Sequence, residues 1–355
     1  MSSGNPAGEV RKGEELDVVA VDAVLKDHIH NLSGTPGVKQ YSGGASNLTY
    51  ALIYPDRDLV LRRPPFGTKP KSGHDMHREY RVMRALMPVF PAVPPTLYYT
   101  DDNSIIGSEF YVMDKVEGHL IRTRIPEEWD WDAARARELC ENFFKKLVEL
   151  HTVDFNTAGL SDFGKPKGYV DRQVSGWNRR FEKAWTEDID KFEDVRRWLE
   201  DNKPKTETGA SILHGDFRID NCILNVGEPT RINAVLDWEI SALGDPLMDL
   251  GNTLAYWIEA SDSPLMRMMV RQPSTADGMM TRREVLDFYA ARTGADVSNF
   301  QFYYVSGIWR LAVIVQQIYY RFYHGQTDNP KFKAYGRMAD ALGTLSRQKI
   351  AAGEL

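Results

Sequence analysis

The sequence predicts an α+β fold on three observations. Apolar residues recur with period two in short runs through the first third of the chain, with period 3.6 through most of the rest from Asp132 onward, and the two regions join near Gly118. Residues 1–15, rich in Ser, Gly, Asn, Pro and Glu, read as a loose terminus. Leu16 to Ile29 follows as a helix, with Asp17 as its N-cap. Val38 to Ser42, Asn47 to Tyr54 and Asp58 to Arg63 are short strands. The last two are joined by turn residues at Pro55-Asp56-Arg57, giving an antiparallel meander. Ser72 to Leu86 places Met76, Tyr80, Met83 and Leu86 at helical spacing, and the prolines that begin at Pro88 stop it. Strands at Leu97 to Thr100 and Glu109 to Val116 flank a turn at Asp101 to Gly107. The first third is thus a small antiparallel sheet with one crossing helix.

From Asp132 onward Leu139, Phe143, Leu147 and Leu150 space as a long amphipathic helix. Further helices are expected at Pro246 to Trp257, Arg282 to Thr293, Phe302 to Tyr323 and near the C-terminus. Between them, apolar runs on either side of Gly227-Glu228-Pro229 read as a hairpin.

A chain of 355 residues with 42% hydrophobic and 11% aromatic residues can bury a large core. Its net charge of −6 argues against a general nucleic-acid binder, which depends on neutralising phosphates. No run approaches the ~20 apolar residues of a membrane-spanning helix, so no membrane association is expected. Only two cysteines, Cys140 and Cys222, and no apolar leader point to a reduced, cytoplasmic protein. Neither HExxH nor paired-cysteine spacing occurs, which disfavours a zinc hydrolase.

The stretch LHGDFRIDNCILN, Leu213 to Asn225, mixes charged and apolar residues more closely than a surface loop or a core strand would. Asn221 stands five residues after Asp216, and Asp237 ends the apolar run Ala234-Val235-Leu236. A hairpin between them would gather two carboxylates and a carboxamide. Those are oxygen ligands of the kind Mg²⁺ takes together with phosphate oxygens and water. Phosphoryl transfer needs a positioned nucleophile, a metal bridging the phosphates and cations against the developing charge. Asp216 can accept a hydroxyl proton, Asn221 and Asp237 can hold Mg²⁺, and Arg218 can reach the transferred phosphate. Phe217 and Ile219 would point inward and anchor the loop, and His214 would support it through hydrogen bonds.

LHGDFRIDNCIL followed by INAVLDWEISALGDPLMDLG resembles the aminoglycoside phosphotransferase and choline kinase superfamily, relatives of the protein kinases, from about Gly34 to Gly343. With SGGASNLTY, LRRPP, HREYRVMRAL and FYVMDKVEG, the chain is most similar to the phosphotransferase-like proteins associated with long acyl-CoA dehydrogenases. The resemblance implies a protein-kinase-like two-lobe fold: a nucleotide-binding lobe over 16–116 and a larger, mostly helical lobe over 117–355 with the catalytic loop and the acceptor site. It implies an ATP- and Mg²⁺-dependent transfer of phosphate to a hydroxyl of a small molecule. Asp216 would be the base, and Asn221 and Asp237 the metal ligands. Ser42, Gly43, Gly44, Ala45, Ser46 and Asn47 would form the loop over the nucleotide phosphates.

Arg62 stands on the third strand where many kinases place lysine, and Glu79 would be its partner, although taken alone Glu79 reads as a surface helix charge. Backbone groups of Asp114 and Val116 would meet adenine. Asp249 would buttress the catalytic loop, whereas Asp245 before Pro246 reads as a helix cap.

For the acceptor, the aromatic run from Phe302 to Tyr323 with Tyr169, Trp177 and Trp257 is the richest candidate wall, and Arg310 and Arg321 are candidates for binding an anion. Aromatics at such spacing more commonly form core. The dehydrogenase association suggests a hydroxy acid or hydroxyacyl-CoA as acceptor, and a functional link to a dehydrogenase. The alternative is a catalytically silent module that binds nucleotide or acyl-CoA.

Overall fold

The computed structural model describes residues 7–41, 47–65 and 75–353. Helix α1 (Val18–His28) begins at Asp17, whose carboxylate accepts from Ala20 N at 3.0 Å. Strands β1 (Gly37–Gln40), β2 (Leu48–Ile53) and β3 (Asp58–Arg63) form the antiparallel meander. Helix α2 (Met76–Leu86) is capped by Asp75, which accepts from Arg78 N at 2.8 Å. The expected start of this helix at Ser72 lies outside the described residues.

Strands β4 (Thr96–Thr100) and β5 (Phe110–Asp114) complete a five-stranded sheet in the order β1-β2-β3-β5-β4, and the turn between them holds one helical turn, α3 (Asn103–Ile106). Leu25 of α1 meets Tyr50, Leu59, Leu61, Phe110 and Val112 of the sheet in one buried cluster. Within the terminus expected to be loose, Gly8 pairs with Gln40 and the Glu14 carbonyl accepts from Tyr50 Oη at 2.6 Å, so this stretch is tied to the sheet.

The chain continues through α4 (Ala133–His151), α5 (Tyr169–Ala184) and α6 (Glu193–Asp201) to the short strand β6 (Ser211–Leu213). Strands β7 (Cys222–Leu224) and β8 (Ile232–Val235) form the hairpin expected around Gly227. Strand β9 (Ala242–Gly244) pairs with β6, a contact of two three-residue strands too short to show a period in the sequence. Helices α7 (Pro246–Ala255), the single turn α8 (Pro264–Arg267), α9 (Arg282–Thr293), α10 (Phe300–Tyr323) and α11 (Tyr335–Ala352) complete the chain.

The chain divides into two compact units. The first takes the described residues of Met1–Arg122 with Asn156–Leu160 and Ile219–Ser241; the second takes Thr123–Phe155, Ser161–Arg218 and those of Ala242–Leu355. The hairpin belongs to the first unit because its backbone bonds run there. Leu224 exchanges two 2.8 Å bonds with His119, and Val235 N donates to Ala92 O at 2.8 Å. Gly118 permits this approach, since a Cβ there would lie 2.2 Å from the Leu224 carbonyl oxygen.

In the second unit α7 and α10 touch through glycines. A Cβ on Gly251 would sit 2.3 Å from Tyr303 O, and one on Gly307 2.3 Å from Gly251 O. Among the described residues no helix is long and apolar enough to cross a membrane. Cys140 and Cys222 are both buried free thiols.

Candidate active site

In the first unit, Arg62 lies on β3 opposite Thr49 of β2 and Tyr111 of β5. Its Nη1 donates to Glu79 Oε1 at 2.5 Å, and its Nη2 lies 3.4 Å from Asp237 Oδ1. Glu79 is 0% exposed, so this is no surface helix charge; α2 turns it onto the sheet, where Arg62 compensates it. Burial opposes the charge on both partners. Arg62 is nevertheless held above its ordinary value because Glu79, then Tyr111 and Asp237, favour the cation. For Glu79 burial outweighs Arg62, and the carboxyl is pushed above its ordinary value. Arginine stays protonated in either case, so Arg62 is the fixed charge of the pair.

Asp237 follows β8 with φ at 72°, a left-handed conformation that aspartate tolerates better than most side chains. Leu236 N donates to the Asn221 carbonyl at 2.8 Å, and this bond sets the residues before and after the hairpin side by side. Asn221 and Asp237 thus present a carboxamide and a carboxylate from adjacent backbone. Among the described residues no group of three His, Cys, Asp or Glu assembles as a metal site. One carboxylate and one carboxamide, completed by phosphate oxygens and water, still suit Mg²⁺.

Of the loop expected over the phosphates, Ser42, Gly43, Gly44, Ala45 and Ser46 lie outside the described residues. Asn47 is buried, and its Nδ2 donates to Glu239 Oε2 at 3.0 Å. Glu239 lies two residues after Asp237, and nothing in its spacing announces a partner 192 residues away. Asp114 N donates to Pro95 O at 2.8 Å and Lys115 N to Asp58 O at 3.2 Å, so both of these backbone donors are already engaged.

In the second unit the HGD turn is held from both sides. Gly215 has φ at 84°, which glycine adopts without strain. Asp249 of α7 accepts from His214 N and Gly215 N, each at 2.8 Å, which is the buttress expected of it. From the other side Arg310 Nη2 donates to the Gly215 carbonyl at 3.0 Å. His214 is fully buried, and its Nδ1 accepts from Asp216 N at 3.2 Å. Phe217 anchors the loop, its ring 4.7 Å from that of Phe143.

Asp216 and Arg218 stand at the end of this turn, with Arg218 Nη2 3.4 Å from Asp216 Oδ2 and its guanidinium 4.8 Å from the Tyr256 ring. His151, at the end of α4, escaped the sequence reading. It is buried, with Nε2 3.2 Å from Asp249 Oδ2 and Nδ1 2.8 Å from Tyr289 Oη. Its signal was a histidine on the apolar face set by Leu147 and Leu150. Burial alone would raise the Asp249 carboxyl, but His151 and His214 together hold it below its ordinary value. Asp245 caps α7, accepting from Leu247 N at 2.9 Å.

The aromatic run divides as burial preference suggests. Tyr303, Tyr304 and Trp309 are core, as is Trp257, whose Nε1 donates to Met280 O. Trp177 is half-buried and Arg321 is exposed.

The model of the phosphotransferase enzyme family matches residues 37–289. The chain is 33% identical over 340 residues to acyl-CoA dehydrogenase family member 10 of Mus musculus, covering 95% of this chain and 31% of that protein. It spans less than half the length of the curated relatives it matches first. Among solved structures, an aminoglycoside phosphotransferase-like protein from Ralstonia eutropha aligns with TM-score 0.81 at 29% identity, over 94% of this chain and 98% of that one. A choline kinase from Cryptosporidium parvum aligns with TM-score 0.66 at 13% identity, over 95% and 97%. The α+β fold is therefore kinase-like, and the chain belongs to the phosphotransferase enzyme family.

Proposed function

We propose that the chain transfers the γ-phosphate of ATP to a hydroxyl of a small molecule. The observation that carries this reading is the buried Arg62–Glu79 pair aimed at Asp237. Replacing such a pair with apolar residues is commonly neutral or stabilising, so its presence points to a use for the charge. That use is to meet nucleotide phosphates beside the metal ligand. An aminoglycoside phosphotransferase of the same fold has been solved with streptomycin and ATP, which supports ATP as donor.

In this reading Asp216 accepts the proton of the acceptor hydroxyl as its oxygen forms the new P–O bond. The bond from the γ-phosphorus to the bridging oxygen breaks, and ADP leaves. Arg218 turns from Asp216 toward the transferred phosphate. The Val116 N–H with the Asp114 carbonyl takes adenine. Asn221 and Asp237 would hold Mg²⁺, which would supply charge neutralisation for the phosphates. Because the curated relatives are named for acyl-CoA dehydrogenases, hydroxy acids and hydroxyacyl-CoA thioesters head the candidate acceptors. Arg62 in place of the lysine of many kinases keeps a second reading in view, a silent module that binds nucleotide or acyl-CoA.

The test is ADP release with Mg²⁺ across hydroxy acids, hydroxyacyl-CoAs, sugars and amino alcohols, with calorimetry of ATP–Mg²⁺ binding alongside. Asp216→Asn should bind ATP as the wild type does and lose about 10²–10⁴-fold in turnover. Turnover close to wild type would remove Asp216 from the role. ATP binding with no ADP release from any class would favour the silent module.

A further inference from the structure

Arg310 is 8% exposed, yet its guanidinium is only half used. Nη2 donates to Gly215 O, one residue before Asp216, while Nη1 is buried with no hydrogen-bond partner. Buried guanidinium N–H groups are ordinarily satisfied, because leaving one unmade costs its full desolvation. Holding the loop does not account for the second donor, since Asp249 already binds the N–H groups of His214 and Gly215.

The surroundings are cationic and aromatic. The Arg310 guanidinium lies 5.5 Å from the Trp177 ring, and that of Arg180 4.5 Å from the same ring. Among the described residues neither arginine forms an ion pair with a carboxylate. Burial, then Arg179 and Arg310, depress the Arg180 pKa, as crowded like charges do. Trp177 is half-buried and Arg180 exposed, so the outer side of this cluster is open to solvent while Arg310 Nη1 lies behind it.

We propose that Arg310, with Arg180 and the face of Trp177, forms a subsite for an anionic group, a carboxylate or a phosphate monoester, carried by the acceptor. This rests on the phosphotransfer reading, in which the acceptor hydroxyl is delivered to Asp216. Two guanidiniums at one indole offer an anion charge-assisted bonds and an apolar floor. Anchoring the acceptor by its anion beside Gly215 fixes the distance along which its hydroxyl is sought. The subsite therefore selects both the charge and the length of the acceptor.

The test reads binding apart from turnover. The indole N–H signal of Trp177, assigned by Trp177→Phe, is followed by NMR in the full chain during titration with acetate, inorganic phosphate and neutral acetamide. Saturable shifts with either anion and none with acetamide are expected. Arg310→Met should raise the midpoint roughly tenfold or more, the loss of one charged hydrogen bond. Arg310→Lys should fall between, and Arg180→Gln, an exposed change that leaves the fold intact, should also weaken the response.

Phosphate acting at lower concentration than acetate identifies a phosphate ester, and the reverse order a carboxylate. An unmoved Trp177 signal, or an equal midpoint in Arg310→Met and Arg180→Gln, overturns the subsite. ADP release alongside an indifferent Trp177 would sink the subsite alone; anion binding without ADP release would sink only the phosphotransfer reading.

Discussion

Glu79 in the first unit and Asp249 in the second are carboxylates at 0% and 1% exposure, and the two are compensated by different kinds of partner. Glu79 relies on the Arg62 side chain, which also leans toward Asp237, and burial still pushes its carboxyl up. Asp249 accepts from two backbone N–H groups and faces His151, and its carboxyl is held down despite equal burial. His151, with His214 and the backbone N–H groups of the HGD turn behind it, compensates Asp249 more completely than Arg62 compensates Glu79. The comparison also separates roles. A pair of side chains can be removed as a pair, whereas a carboxylate locked onto backbone N–H groups keeps a loop in place.

The largest effect should come from breaking the first arrangement on one side. Arg62→Met leaves Glu79 buried without its cation and should cost about 3–5 kcal/mol in urea unfolding. Adding Glu79→Leu should recover most of that stability while ATP binding stays weak, because both partners are side chains and can be removed together. A double variant no more stable than Arg62→Met would mean that the pair is held by something besides its own charges.

Asp249→Asn should cost about 1–3 kcal/mol, since one amide oxygen cannot accept from both His214 N and Gly215 N and serve His151 as well. Here no second substitution should rescue it, because the stranded donors belong to the backbone. Recovery to wild-type stability in Asp249→Asn with His151→Phe would place the weight on the histidine instead.

How much of this was legible in the sequence follows the same division. The sheet, α2 and the hairpin carry strong periods and turn residues, and Asp17 and Asp245 cap helices because a cap acts within three residues. The loop LHGDFRIDN stood out through its density of charged residues between apolar ones. The pairing of β6 with β9 was hidden by its length, and the hairpin's return to the first unit by its dependence on backbone bonds to Ala92 and His119. Glu79 alone looked like a surface charge because α2 is polar on most faces, and only the register of β3 brings Arg62 to it. His151 and Glu239 act on partners 98 and 192 residues away, and no local pattern carries such a distance.

Acidification separates the two carboxylates by order of events. Glu79 has its folded value raised above the ordinary 4.5, so between that raised value and 4.5 the folded chain holds a proton that the unfolded chain has lost. Stability therefore increases as pH falls through this window, and wild type should gain on Glu79→Gln there. Asp249 has its folded value depressed below the ordinary 3.8, so its contribution is fully present above that pH and is lost as pH falls from there through the depressed value. The gap between wild type and Asp249→Asn should stay level down to about pH 4 and narrow only below it, by about 1.4 kcal/mol for each pH unit of the shift. Unfolding free energies of the three proteins, measured by urea from pH 7 to pH 3, decide the matter. If both gaps moved together in one window, His151 and the turn would hold Asp249 no better than Arg62 holds Glu79.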